Sequence, residues 1–214
     1  MKTIPEIVNF FNDDQVFITT ENQEFFTFAD LKKQIDWTKD FFRKNYIKKT
    51  DTIAIVCENG PVMATSFLAT ASSCCAAPLN PSYTSSEFDF YLEDLNPKAL
   101  IVKEEFNSPV IEVAKKRGIK IFNLRVNNKD NSGKFSLTSN EKNIPNFINQ
   151  NDNIIPENIA LILHTSGTTS KPKMVPLTHL NLYTSAKNIV ETLNLERSDK
   201  CINIMPLFHI HGIV

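Results

Sequence analysis

The chain has 214 residues, of which 42% are hydrophobic and 22% are charged, enough to bury one substantial core. Its 23 basic residues are balanced by 24 acidic ones, which argues against a binding surface for nucleic acid or an anionic membrane. No apolar run reaches the ~18 residues of a membrane-spanning helix, and the N-terminus lacks a signal-peptide core. We therefore expect no membrane insertion and a cytoplasmic or organelle-matrix protein.

The first elements predicted are a β-hairpin and a helix. Two short apolar runs, 16–19 and 25–26, flank the polar residues 21–23, a pattern typical of a hairpin turn. Thr27 is followed three residues later by Asp30, which predicts the start of a helix running to about residue 46.

A regular alternation follows between residues 52 and 124. Short apolar runs predict buried strands, and amphipathic or capped segments between them predict helices. This order is typical of parallel β-α-β units, so we predict an α/β fold. The predicted strands are 52–57, 76–79, 99–102 and 120–124, and the predicted helices are 61–73, 85–95 and 108–117.

The alternation of predicted strands and helices is no longer recognisable between residues 123 and 153, where asparagine is frequent. We interpret this window as a surface loop, with at most one marginal helix, at a subdomain junction. It divides the chain into a first α/β subdomain, 1–150, and the start of a second, 151–214. The second unit is predicted to contain a strand at 159–163, a polar loop, a helix at about 180–193 and a strand at 201–204.

The four cysteines show no spacing typical of a zinc site, and no metal site is predicted. Each lies in apolar sequence, where a free cysteine behaves as a small core residue. We expect buried, unreactive thiols at Cys57, Cys74, Cys75 and Cys201.

The most informative segment is the polar run 164–173, directly behind the predicted strand 159–163. Its hydroxyls, its single glycine and its lysines offer the donors that bind an oligophosphate. The common phosphate loop, G-x-x-x-x-G-K-[ST], cannot be laid over these residues. A plain polar surface connection is the alternative on composition alone.

The run H-T-S-G-T-T-S-K-P-K-M-V-P-L-T-H at 164–179 resembles the phosphate-binding loop of the adenylate-forming superfamily. Two further segments resemble that family in the same order: A-A-P-L-N-P-S-Y-T at 76–84 and M-P-L-F-H-I-H-G at 205–212. The residues found in the loop and in the segment 205–212 look most like those of oxalate–CoA ligases and their peroxisomal-type relatives. The resemblance implies the large N-terminal α/β domain of such a ligase, truncated.

The resemblance implies an ATP-dependent carboxylate–CoA ligase with ATP, Mg2+ and coenzyme A as co-substrates and a small carboxylic acid, such as oxalate, as substrate. It also implies the residues that contact the β- and γ-phosphates. Lys171 falls where the family varies and is interpreted as a solvated charge. The implied phosphate-binding residues are Thr165, Ser166, Gly167, Thr168, Thr169 and Lys173.

The remaining predictions concern the four histidines of the chain. His209 falls where the family places a histidine beside the bound carboxylate, so it is the candidate catalytic and substrate-binding residue; a structural histidine is the alternative. His211 would share a face with His209 if the segment were extended, and would then help to shape the acyl pocket. His179 is expected to help start the following helix, and His164 to pack in a position that is usually aromatic.

Two residues depart from the family pattern of the loop. Ser170 replaces a glycine, but serine is tolerated there in the oxalate–CoA ligase branch. Met174 replaces another glycine, and it would cost on the order of 1 kcal/mol if that position needed a positive φ angle.

Several motifs of the family have no counterpart between residues 1 and 214. These are the segments that hold adenine, magnesium and ribose, and the small C-terminal domain with its catalytic lysine. We therefore predict a fragment or one part of a split ligase that needs a complementary C-terminal half. The alternatives are a non-catalytic remnant with residual phosphate binding and, ranked last, a nucleotidase of another class.

Overall fold

The computed structural model describes residues 1–20, 24–126, 133–139, 153–165 and 172–213. The strands are β1 Val16–Thr19, β2 Phe25–Thr27, β3 Thr52–Val56, β4 Cys75–Pro78, β5 Ala99–Lys103, β6 Lys120–Arg125, β7 Ser136–Ser139, β8 Ile159–Thr165 and β9 Lys173–Thr178. The helices are α1 Ile4–Phe10, α2 Phe28–Lys44, α3 Pro61–Ala71, α4 Ser85–Leu95, α5 Val110–Lys116, α6 His179–Leu193 and α7 Ile210–Ile213.

Seven of these strands form one sheet in the order β7-β6-β5-β3-β4-β8-β9, and β1 and β2 form a separate antiparallel pair. The five central strands, β6 to β8 in that order, are mutually parallel, while β7 and β9 run antiparallel at the two edges. The predicted α/β class with a parallel sheet is confirmed. All five parallel strands therefore present their carboxyl ends at the same edge of the sheet.

The core lies on both faces of the sheet, as the alternation along β3 shows. Ile53 and Ile55 are fully buried on one face and pack with residues of α2 and α3. Ala54 and Val56 are fully buried on the opposite face and pack with residues of α4 and α5. A strand buried on both faces is apolar throughout, which is why β3 was predictable from its sequence.

Side-chain caps fix the starts of the main helices. Thr27 Oγ1 accepts a hydrogen bond from the Asp30 N–H, and the Asp30 carboxylate accepts from the Thr27 N–H, so the predicted N-terminus of α2 is confirmed. Thr178 caps α6 in the same way through Asn181. Gly60, at φ +148°, precedes Pro61 in the first turn of α3, also as predicted.

Sequence reasoning missed two strands. β7 lies in the window 123–153 that was interpreted as a loop, and it pairs antiparallel with β6; its alternation of buried Phe135 and Leu137 with exposed neighbours was the available signal. β9 was missed because it contains Pro176, and proline is uncommon within strands. Proline is tolerated there because β9 is an edge strand whose outer N–H groups need no partner.

The predicted strand at 201–204 is wrong. Those residues form no regular secondary structure and join no strand of the described ranges, and Ile202 and Ile204 are 85% and 82% exposed. β9 occupies the place beside β8 that a further strand would need. Cys201 is consequently exposed, which corrects the prediction of four buried thiols, whereas Cys57, Cys74 and Cys75 are buried as predicted.

The division of the chain near residue 150 stays a prediction, although β8 pairs with β4 inside the same sheet. Most of the loop residues 127–152 lie outside the described ranges. Among the helices that the structure describes, none combines the length and apolar character required to cross a bilayer.

Candidate functional site

The ends of β8 and β9 frame the predicted phosphate loop. Thr165, the last residue of β8, is the register partner of Lys173, the first residue of β9. Directly opposed residues of an antiparallel pair project from the same face of the sheet, with Cβ atoms about 5 Å apart. The structure thus brings one hydroxyl and one ammonium group of the predicted set together at the mouth of the loop. The others, Ser166, Gly167, Thr168 and Thr169, lie outside the described residues.

Both framing side chains are available to a ligand. Thr165 and Lys173 are exposed, and neither side chain has a hydrogen-bond or ion-pair partner within the described ranges. Hydroxyl and ammonium groups are donors suited to phosphate oxygens, so this part of the site fits an oligophosphate. Met174 lies in the ladder opposite His164 and is absent from the residues with positive φ. The strain considered for a methionine at this position therefore does not arise.

His164 ties the strand before the loop to the neighbouring helix. Its Nε2 lies 2.9 Å from Asp94 Oδ2 in α4, and its ring meets the Tyr91 ring edge to face at 4.7 Å. The side chain is only 5% exposed. His164 packs as predicted, and Asp94 in α4 is its hydrogen-bond partner.

His209 lies in a compact turn between Pro206 and α7. The turn is closed internally: the His209 N–H donates to the Pro206 carbonyl at 3.1 Å, and the Asn203 side-chain amide donates to the Gly212 carbonyl at 2.7 Å. It is joined to the sheet by Asn59, whose Oδ1 accepts from the Leu207 N–H at 2.9 Å. The His209 imidazole is exposed and contacts the Phe208 ring at 4.7 Å.

The segment from His209 to His211 is not the extended one on which the expected shared face of the two side chains depended. His211 lies inside α7, and His209 directly precedes that helix. The reason for expecting the two side chains on one face therefore no longer applies, and the role of His211 in the acyl pocket stays a prediction.

A cleft opens at the carboxyl ends of β3 and β5. Its volume is about 710 Å³, and it is lined by Cys57, Glu58, Asn59, Lys103, Asn203 and Leu207 among others. β3 has β4 on one side and β5 on the other, so this is the point where the chain reverses its direction across the sheet, a common position for ligands in open α/β sheets. The turn carrying His209 forms one wall.

Charge in the cleft is locally balanced. Lys103 Nζ lies 2.9 Å from Glu58 Oε2, and this hydrogen bond raises the pKa of the lysine. Burial raises the pKa of the Cys57 thiol to about 11, so it stays protonated at neutral pH and is a poor nucleophile. Within the described ranges no cluster of three or more acidic, histidine or cysteine side chains could hold a metal ion.

His179 is the first residue of α6 and is only 1% exposed. Its Nδ1 accepts a hydrogen bond from the Ile4 N–H at 3.2 Å, which joins α6 to α1. Burial lowers the pKa of its imidazole to about 4. This histidine starts the helix after the loop, as predicted, and its role is structural.

Two asparagines of the site were not predicted. Asn59 and Asn203 position backbone groups of the His209 turn, and no motif in the sequence distinguishes them from the chain's other asparagines. The only available signal was that Asn59 directly follows a buried strand, where site residues of α/β proteins often lie.

A family model described as AMP-binding enzyme matches residues 6–214. The chain belongs to the AMP-binding enzyme family. An oxalate–CoA ligase of Arabidopsis thaliana is 39% identical over 171 residues, covering 78% of this chain and 32% of the relative. An oxalate–CoA ligase of Saccharomyces cerevisiae is 34% identical over 229 residues, covering 95% of this chain and 42% of the relative. The chain thus corresponds to about two fifths or less of these relatives.

Solved structures of the AMP-binding family share the fold. The ATP-bound MatB of Rhodopseudomonas palustris aligns with a TM-score of 0.78 over 99% of this chain and 42% of that one, at 22% identity. The o-succinylbenzoate CoA synthetase of Bacillus subtilis, in complex with an acyl-adenylate, aligns with a TM-score of 0.74 over 98% of this chain, at 23% identity. The recognition of the N-terminal part of an adenylate-forming ligase is confirmed.

Proposed function

We propose that the chain is part of an ATP-dependent carboxylate–CoA ligase. Such an enzyme joins a carboxylate to the α-phosphate of ATP, releases pyrophosphate and transfers the acyl group from the adenylate to the thiol of coenzyme A. The observation that carries the proposal is the Thr165–Lys173 pair at the mouth of the loop, in a chain that matches the AMP-binding family over residues 6–214.

The framing residues would hold the leaving pyrophosphate. The Lys173 ammonium would neutralise charge that builds up on the phosphate oxygens, and the Thr165 hydroxyl would donate a hydrogen bond to one of them. Donors fixed in place before the reaction stabilise developing charge without reorganisation. The segment 166–169 would contribute further donors, and a bound Mg2+ would supply additional positive charge at the phosphates.

His209 would orient the carboxylate toward the α-phosphorus. Its imidazole is exposed at the carboxyl edge of the sheet, the edge at which β8 also ends. β3 and β8 are separated only by β4, which corresponds to about 10 Å at the usual strand spacing. A triphosphate and a small acid lying along that edge could span the two groups.

We propose a small dicarboxylate, oxalate first, as the acid, because both relatives reported above are named oxalate–CoA ligases. Small acids gain little binding energy from apolar surface, so a charged or hydrogen-bonding histidine is a suitable partner. His211, within α7, would help to shape the pocket for the acid.

Binding of nucleotide phosphate without turnover is the second candidate, because the chain spans only 32% and 42% of the two oxalate–CoA ligases. A complementary C-terminal half is the partner that the first candidate requires. The cytoplasmic location also stays a prediction, which microscopy of a fluorescent fusion would test.

Exchange of labelled pyrophosphate into ATP separates the candidates. The chain would be assayed with oxalate, malonate and acetate, alone and together with the C-terminal part of the yeast ligase. We expect oxalate-dependent exchange in the mixture. ATP binding with no exchange under either condition would favour the second candidate, and release of ADP would indicate a nucleotidase instead.

A further inference from the structure

We propose that Asn59 is a positioning residue for His209: its side-chain amide fixes the turn that carries the histidine. The inference rests on the proposed function of His209 but is carried by a separate observation. Asn59 Oδ1 accepts a hydrogen bond from the Leu207 N–H at 2.9 Å, across 148 positions of sequence. Leu207 precedes His209 by two residues, within the same turn.

Asn59, whose side chain accepts this hydrogen bond, lies in a rigid part of the fold. Asn59 lies three residues after β3, the central strand of the sheet, whose last four residues are fully buried. Gly60 follows at φ +148°, a backbone conformation that residues with a Cβ rarely adopt, and Pro61 then begins α3. The strand and the helix together hold the Asn59 side chain at the edge of the cleft.

The turn forms a unit of its own. The Asn203 side chain spans it, donating to the Gly212 carbonyl at 2.7 Å and accepting from the Met205 N–H at 3.0 Å. Gly212 approaches Pro206 so closely that a Cβ would lie 2.3 Å from the proline carbonyl oxygen. Because the turn is closed and tight, it moves as a body, and a contact at Leu207 determines the position of His209.

Asn59 provides the only hydrogen bond between residues 201–213 and the rest of the described chain. Residues 201–204 pair with no described strand, and Leu207 and Ile213 pack against the core. Apolar contacts are not directional, so they resist separation but permit sliding. The amide contact adds the directional constraint, and a displacement on the order of 1 Å near reacting groups can lower a rate about 100-fold.

The contact can be tested in this chain without substrate. Asn59→Leu preserves the side-chain size but removes the acceptor, whereas Asn59→Asp preserves an acceptor oxygen. We expect amide hydrogen exchange at Leu207 to become at least tenfold faster in N59L and to stay within threefold of the original in N59D. N80L is the matched control, because Asn80 Oδ1 accepts from the Ser82 N–H at 2.9 Å, a hydrogen bond within its own loop that does not involve residues 201–213.

Activity measurements distinguish positioning from general destabilisation. In oxalate-dependent pyrophosphate exchange, supported by the complementary C-terminal part, N59L should lower kcat at least tenfold with an unchanged KM for ATP, and N59D should restore most of the rate. Unchanged exchange at the Leu207 amide, or an unchanged kcat despite faster amide exchange, would overturn the proposal. If the original protein shows no pyrophosphate exchange, the ligase function fails, while faster amide exchange in N59L would still support the positioning contact.

Discussion

His164 Nε2 and Asp94 Oδ2, 2.9 Å apart, join β8 to α4 one residue before the predicted phosphate loop. The family resemblance places an aromatic residue at this position, and His164 retains the ring contact with Tyr91 at 4.7 Å while adding a polar tether. The strand that delivers Thr165 is therefore held by both packing and a hydrogen bond.

Asp94→Ala removes this tether. We expect a loss of about 1 kcal/mol in the free energy of unfolding, the usual net contribution of one such hydrogen bond, measured by urea denaturation. Glu105→Ala is the control, because that side chain is exposed and a surface substitution should change stability by less than about 0.5 kcal/mol. Equal effects of the two substitutions would show that the tether contributes nothing.

Lys173→Ala should weaken ATP binding. A charge-assisted hydrogen bond to phosphate contributes roughly 1.5–3 kcal/mol, so the Kd should rise by about 10-fold to 100-fold, as measured by isothermal titration calorimetry. Lys171→Ala is the matched control, since that lysine is interpreted as a solvated charge at a position that varies in the family. If the two substitutions weaken binding equally, nonspecific charge rather than Lys173 attracts the triphosphate.

His209→Ala should lower the kcat of oxalate-dependent pyrophosphate exchange at least tenfold, because the carboxylate loses its orienting partner. His211→Ala should have a smaller and additive effect, since His211 lies within α7 whereas His209 lies in the turn before it. Strong non-additivity in the double variant would indicate that the histidines act as one unit after all.

The stability of the fold should fall as the pH drops from 6.5 toward 4. Burial lowers the pKa of His179 to about 4, against 6.5 in an unfolded chain, so in this range the unfolded state binds a proton that the folded state excludes. The loss should reach up to about 3 kcal/mol at acidic pH and vanish above pH 6.5. His179→Asn should remove this part of the pH dependence in urea denaturation at pH 7 and pH 5, and a slope identical in both proteins would contradict the assignment.

Much of the fold followed from local sequence rules. Buried strands such as β3 and β5 are apolar on both faces, and helices such as α2 and α4 begin at threonine caps that are recognisable three residues apart. β9 escaped these rules because Pro176 is acceptable only at a sheet edge, and edge position is a property of the assembled sheet. The strand predicted at 201–204 failed for the same reason: the apolar sequence was present, but no neighbouring strand was.

The sequence alone determined the α/β class and the family, because these depend on periodicity and on motifs contiguous in the chain. It also predicts the residues that would bind nucleotide phosphate. Only the tertiary structure decided that Thr165 faces Lys173, that His211 lies in a helix and His209 in the turn before it, and that Asn59 holds the Leu207 amide. These three relationships depend on strand register, on where a helix begins and on contacts between distant segments of the chain. They form only when the sheet has assembled and the carboxyl ends of its parallel strands lie at one edge.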